Sequence, residues 1–176
     1  MADLAHRKAS KKIQFVGKDG KPLCNENVQV ELKKHDFLFG CGAFDFLPVV
    51  FEKDSQKAAF IKERTEKWAK LFNYGTLPFY WGGFEKEEGK PNTENLKKAA
   101  LLLKDFNATV KGHPLCWHTG CAEWLLKYDN KTILEKQLAR IYRDVGEFKG
   151  LIDMWDVINE VVIMPIYDKY DNAITR

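Results

Sequence analysis

Three stretches of the chain space their apolar residues like one face of a helix. They cover residues 54–72, residues 93–107, and a third run that ends at Lys149-Gly150. Side chains three or four positions apart lie on one side of a helix, so that side is expected to face the core. Asp54 or Ser55 can cap the first helix. In the third helix the predicted inward residues are Ile133 or Leu134, Leu138, Ile141, Val145 and Phe148.

Short apolar runs alternate with these helices and predict strands over 37–40, 74–79, 109–117 and 152–158. Alternation of strand and helix predicts a parallel sheet. The strand ends recur about every 40 residues, a step that fits a (β/α)8 TIM barrel, and the chain is expected to hold only its first four βα units. An open doubly wound sheet is the structural rival, but no glycine-rich phosphate loop follows any of these runs.

The first part of the chain has a different pattern. A strand over 13–16, a turn over 18–22 with Asp-Gly and Lys-Pro pairs, and an alternating run over 28–32 predict a β-ribbon. The expected domains are therefore a ribbon over 1–35, which leads into the barrel, and half of a barrel over 36–176.

Composition excludes several classes of partner. The net charge is only +3 and the signs are mixed, which gives no case for nucleic acid, and no apolar run is long enough to span a membrane. The four cysteines are too few for a disulfide framework. The start of the chain has no signal-peptide core, so a cytoplasmic location is expected, and secretion stays open if this start is not native.

Candidate chemistry lies at the predicted strand ends. Glu160 ends an apolar strand, where an ionised carboxylate is costly unless it has a partner or a function. Asn159 beside it can bond a sugar hydroxyl. His113 and Trp117 are four residues apart and share a face of an extended strand, and an imidazole with an indole suits the polar edge and flat face of a pyranose. Taken alone, each pair also fits a helix cap or a core contact.

The run from His113 to Cys121 also admits a zinc interpretation. Two cysteines and two histidines lie within nine residues, at His113, Cys116, His118 and Cys121. On a strand, however, His113 points away from Cys116 and His118, and no second cluster of such residues occurs elsewhere. We therefore expect no metal and no cofactor.

Two motifs resemble those of glycoside hydrolase family 10, the endo-1,4-β-xylanase family. Residues 111–118, Lys-Gly-His-Pro-Leu-Cys-Trp-His, are similar to its third-strand motif, and residues 155–160, Trp-Asp-Val-Ile-Asn-Glu, to its fourth-strand motif. The resemblance implies a retaining hydrolase that cleaves β-1,4 links in xylan or a related polysaccharide. It implies that Glu160 is the acid/base, and that Asn159, His113 and Trp117 bind the sugar being cleaved.

The chain departs from the family in two places. The polar residues that usually follow the second strand are replaced over 76–85 by aromatics, among which Trp81 is expected to bind substrate. The family nucleophile belongs on the seventh strand, so the chain is expected to be an inactive fragment of the enzyme. Another β-glycosidase with altered specificity, or a non-catalytic carbohydrate-binding half-barrel, remain alternatives. Four strands are also expected to leave apolar side chains exposed, namely Phe39, Leu77, Leu115 and Val157.

Overall fold

A computed structural model describes residues 5, 8–33, 36–152 and 154–160, and the chain divides into two units after Lys33. In the first unit the predicted turn forms. Val16 and Pro22 make an antiparallel bridge, and the amide of Leu23 donates to the carbonyl of Phe15 at 2.9 Å. Gly20 takes φ +76°, which a glycine adopts without steric cost.

The prediction of a second strand in this ribbon is wrong. Residues 28–32 form no strand in the described part of this unit. Val30 and Leu32 are 80% and 68% exposed. Alternation alone does not make a strand, because its apolar face needs a partner surface, and the described residues of this unit bury nothing against it.

The second unit contains a parallel sheet of four strands in chain order. They are β1 (Gly40–Gly42), β2 (Tyr74–Pro78), β3 (Thr109–His113) and β4 (Met154–Trp155). The predicted strand over 37–40 thus begins later than expected. Asp153 of the predicted fourth strand, and residues 161–176 of the predicted half-barrel, lie outside the described residues.

Within the described residues, five helices connect and flank these strands. The three long ones are the predicted helices, α2 (Ser55–Leu71), α4 (Thr93–Asp105) and α5 (Asn130–Glu147). Two single turns were not predicted, α1 (Phe46–Val49) and α3 (Trp81–Phe84), nor was a 3-10 turn over Glu123–Lys127. The carboxylate of Asp54 caps α2 as predicted, accepting from the amide of Lys57 at 2.9 Å. No helix in the described ranges is long and apolar enough to cross a membrane.

The core lies between the sheet and the helices. Leu77 on β2, Phe79 just beyond its end and Val110 on β3 face the helices, and they are buried with Leu103 and Phe148. The expectation that Leu77 and Leu115 are exposed is therefore wrong, since they are 0% and 1% exposed. Phe39 and Val157, at 58% and 53%, are exposed as expected.

Helix α5 turns a different face inward from the predicted one. Ile133 and Phe148 are buried, but Leu134, Leu138 and Val145 are 58%, 47% and 39% exposed. The remaining buried positions are polar, namely Gln137, Arg140 and Asp144. The polar face turns inward because its side chains bond backbone carbonyls and one another. These hydrogen bonds offset the cost of burying the polar groups.

Strands β3 and β4 approach closely at a glycine. Gly112 pairs with Trp155, and a Cβ built on Gly112 would lie 2.2 Å from the indole ring. The indole is itself packed against Phe79, with ring centroids 4.8 Å apart. Only a residue without a side chain fits at this position.

Candidate active site

The candidate residues meet at the carboxyl edge of the sheet, where β2, β3 and β4 end. The last register pair of β2 and β3 is Pro78 with His113. Beyond β3, Cys116 forms an isolated parallel bridge with Ile158. In parallel α/β folds this edge carries the functional loops.

His113 is held by a carboxylate of the next strand segment. Its Nδ1 lies 2.7 Å from Oδ2 of Asp156, and the same oxygen lies 2.7 Å from Nζ of Lys111. Because an ionised carboxylate only accepts, Nδ1 of His113 donates to Asp156. Burial pushes the pKa of Asp156 up, but Lys111 and His113 outweigh it and hold the pKa below its usual range.

Glu160 and Trp117 form the second contact between the two motifs. The indole Nε1 of Trp117 donates to Oε2 of Glu160 at 2.8 Å. The backbone supports this pair, since the amide of Asn159 donates to the carbonyl of Cys116 at 2.9 Å. Glu160 is exposed and has φ +55°, a left-handed conformation that is uncommon for a residue with a side chain.

Three further residues beside the candidate site, Tyr80, Phe44 and Lys111, were not predicted from the sequence. The ring of Tyr80 lies 5.5 Å from the ring of His113 and 5.4 Å from that of Trp117, and Phe44 packs edge-on against it at 6.1 Å. Strand alternation contained the signal: Leu77 and Phe79 face the helices, so Tyr80 falls on the opposite face. The same alternation places Lys111 beside His113.

The side chain of Trp81 is buried, which does not fit the expectation that it offers a stacking surface to substrate. It is 4% exposed, and its Nε1 donates to Oε2 of Glu85 at 3.0 Å. The guanidinium of Arg140 lies 4.9 Å from the ring centroid, and Trp124 packs edge-on at 5.5 Å. One residue beyond Tyr80, the chain has turned its side chain towards the helices.

The candidate metal ligands are arranged differently from a zinc site. Burial raises the pKa of the Cys116 thiol, which disfavours the thiolate form that metals bind. Across the described ranges no three His, Cys, Asp or Glu side chains are grouped as a metal site requires.

Sequence comparison agrees with the two motifs. A profile of Glycosyl hydrolase family 10 matches residues 55–169. Endo-1,4-beta-xylanase A of Thermotoga maritima is 31% identical over 86 residues, which are 46% of this chain and 8% of that protein. Endo-1,4-beta-xylanase 3 of Hypocrea jecorina is 27% identical over 82 residues, 46% of this chain and 24% of the relative.

Comparison of the fold with solved structures finds xylanases. Xylanase 10B of Thermotoga petrophila, solved with xylobiose, superposes with a TM-score of 0.59 at 22% identity over 77% of this chain and 39% of its own. A family 10 endoxylanase from a sugarcane soil metagenome has a TM-score of 0.61 at 19% identity, over 79% of this chain and 40% of its own.

The chain thus spans about two fifths of these solved structures and at most about a quarter of the curated relatives given above. The likeness in fold confirms a partial (β/α)8 barrel, because the four parallel strands and their helices superpose on part of one. The profile match extends over well more than half of the residues and includes both motifs. On this evidence the chain belongs to Glycosyl hydrolase family 10.

Proposed function

We propose that the chain supplies the acid/base half of a retaining endo-β-1,4-xylanase. Glu160 is the acid/base, and Asn159, His113 and Trp117 hold the sugar ring at the bond that is cleaved. The observation that carries the proposal is the contact of 2.8 Å between Trp117 Nε1 and Glu160 Oε2 at the carboxyl edge of the sheet. It joins the two strand-end motifs at one place, beside the pair of His113 and Asp156.

The chemistry requires two carboxylates about 5–5.5 Å apart. One attacks the anomeric carbon as the glycosidic bond breaks, and Glu160 gives its proton to the leaving oxygen. The resulting glycosyl ester is then hydrolysed by water, whose proton returns to Glu160. In this proposal the nucleophile comes from the seventh strand of a complete barrel.

Two carboxylates of the described chain are unsuited to the nucleophile's role. Glu85 is 2% exposed, and its Oε1 and Oε2 accept bonds from Gly89, Trp81 and Arg143. Asp45 is paired with Arg64 at 2.7 Å. Both are engaged in structural contacts, so a nucleophile from elsewhere in the barrel is the simpler assignment.

The rim favours a substrate with flat faces and hydroxyl edges. Tyr80, Trp117 and Phe44 offer aromatic surface, and the ring of His113 offers a polar edge. A xylopyranose ring has both features, as do the sugars of related β-glucans. Xylan is the proposed polymer because the relatives that match are endo-1,4-beta-xylanases.

The test joins this chain to strands five to eight of a family 10 barrel and measures hydrolysis of xylan and of an aryl β-xylobioside with a dinitrophenolate leaving group. We expect turnover of both by the joined protein and none by residues 1–176 alone. Glu160→Gln is expected to lower hydrolysis of xylan at least about 100-fold. It should spare formation of the glycosyl ester from the aryl substrate, whose leaving group needs no proton. Added azide should then restore turnover by replacing water.

Glu135→Gln is the matched control, since Glu135 is an exposed carboxylate on α5. Equal activity of Glu160→Gln and Glu135→Gln would contradict the role of Glu160. Hydrolysis of xylan by residues 1–176 alone would contradict the need for a nucleophile from the seventh strand. Tight binding of xylohexaose by the joined protein without turnover would support the carbohydrate-binding alternative instead.

A further inference from the structure

Arg140 is a cation on the buried face of helix α5. It is 3% exposed and points from α5 towards the loops that follow β2 and β3. Burial lowers the pKa of its guanidinium, and the carboxylate of Asp144 opposes that effect. Removing a charge from water has a large free-energy cost, which the contacts of the buried guanidinium must offset.

The guanidinium bonds the backbone at the ends of two strands. Its Nη1 donates to the carbonyl of Leu115 at 2.6 Å, and Nη2 donates to the carbonyl of Phe79 and lies 3.5 Å from that of Pro114. These carbonyls lie just beyond the last paired residues of β2 and β3. Gln137 adds a second donor to Leu115, at 2.9 Å. Side chains of α5 therefore replace the sheet as the donors for these buried carbonyls.

The orientation of Arg140 is fixed from the other side. Its Nε donates to Asp144 at 3.1 Å, and the guanidinium carbon lies 4.9 Å from the ring centroid of Trp81 and 5.8 Å from that of Phe84. Asp144 is held in turn by Arg143, at 2.8 Å. A planar fork that is bonded at three nitrogens and packed against two rings has little freedom to move.

Arg140 is connected to the candidate site by a short path through the backbone. Leu115, whose carbonyl it binds, donates its amide to the carbonyl of Asp156 at 2.9 Å. The next residue, Cys116, accepts from the amide of Asn159, and the residue after that, Trp117, bonds Glu160. The loop that carries Trp117 is thus anchored at Leu115 from outside the barrel.

From these contacts we infer that Arg140 is a positioning residue of the active site: its fork fixes the loops after β2 and β3 and so sets the place of Trp117 against Glu160. The inference rests on the proposed function, because the consequence of misplacing Glu160 is a loss of acid catalysis. Lysine cannot substitute for it, since one ammonium does not reach carbonyls on two segments with a planar fork.

The first experiment reads the position of Trp117 without any substrate. The chain is labelled with 15N, and the indole N–H signal of Trp117 is assigned with Trp117→Phe. In Arg140→Lys and Arg140→Met we expect this signal to move towards that of a free indole and to exchange faster with water. Trp155 reports that the chain is folded, because its ring packs in the core against Phe79.

Gln137→Met and Glu135→Gln complete the set. Gln137→Met removes the second side chain that donates to the carbonyl of Leu115, and it should shift the Trp117 signal less, in the same direction. Glu135→Gln changes an exposed residue of the same helix and should leave the signal in place. An unmoved Trp117 signal in every Arg140 and Gln137 variant that keeps the Trp155 signal overturns the inference.

The second experiment reads catalysis in the joined protein. Arg140→Lys is expected to lower kcat on xylan about 100-fold, the loss typical of a misplacement of about 1 Å, with little change in KM. The loss on the dinitrophenyl substrate should be much smaller, because that leaving group needs no proton. Equal losses on both substrates would overturn the positioning role. If the parent joined protein is inactive, the proposed function fails, and the indole signals still decide the role of Arg140.

Discussion

Phe79 places its ring in the core, and its backbone carbonyl accepts from Arg140 beside the candidate site. Its truncation is therefore the most informative test of the fold. The ring is fully buried, and it packs edge-on against Phe148 at 5.0 Å and Trp155 at 4.8 Å and is tilted against Phe84 at 5.3 Å. Truncation of a buried phenylalanine to alanine costs about 3–5 kcal/mol. Three aromatic pairs, each contributing about 0.5–1.5 kcal/mol beyond burial, place Phe79→Ala near the upper end.

We therefore expect Phe79→Ala to lower the free energy of unfolding by about 5 kcal/mol. For a chain of this size each kcal/mol shifts Tm by about 2–4 °C, so Tm should fall by about 10–20 °C. Phe79→Leu keeps much of the buried volume but loses the ring pairs, and about 1–3 kcal/mol is expected. The assay is urea unfolding followed by tryptophan fluorescence, with the m-value compared among variants.

The control is Phe60→Ala, because Phe60 lies on α2 and is 59% exposed. Its truncation should cost less than about 1 kcal/mol. The reasoning is refuted if Phe79→Ala and Phe60→Ala lower the free energy of unfolding equally at an unchanged m-value. That outcome would mean that the ring of Phe79 is not enclosed between the sheet and the helices.

Three further predictions address the site and the corrected helix face. The pKa of Asp156 is depressed in the folded state, so its contribution to stability is present above the unfolded value of about 3.9 and is lost as the pH falls towards the folded pKa. As the pH is lowered below about 4, the urea concentration at the unfolding midpoint should therefore decrease less steeply for Asp156→Asn than for the parent chain. An equal dependence of the midpoint on pH in the two proteins would contradict this. Trp117→Phe keeps a ring but removes the donor to Glu160. In the joined protein it should lower kcat/KM on xylan about 10- to 100-fold, as expected for a bond to a charged group, and an unchanged value would argue against the contact. Because Leu138 is exposed on α5, Leu138→Lys should change the free energy of unfolding by less than about 0.5 kcal/mol. A loss of several kcal/mol would mean that Leu138 is buried in the core.

The sequence was sufficient for the repeating part of the fold. Period-2 and period-3.6 patterns report which side of an element meets apolar surface, and they located α2, α4, β2 and β3. The site was predictable to the extent that it lies at strand ends, which placed His113 and Trp117 on one side of the contact and Glu160 on the other.

What could not be predicted depends on partners distant in sequence. The buried face of α5 is polar because Arg140 bonds Leu115, 25 residues away, and Phe79, 61 residues away. No local period contains that information. The choice between Tyr80 and Trp81 was local, but it depended on where β2 ends, and a slip of one residue exchanges the two faces of a strand.

The close approach of Gly112 and Trp155 links variation at two positions of the chain. A methyl group at residue 112 would meet an indole that also packs against Phe79, so room for it would require β4 to move away from β3. Asp156 directly follows Trp155, and such a movement would be passed to the carboxylate that holds His113. Homologues with a side chain at position 112 should therefore carry a smaller residue at position 155. The two positions should change together or not at all, although neither belongs to the candidate site.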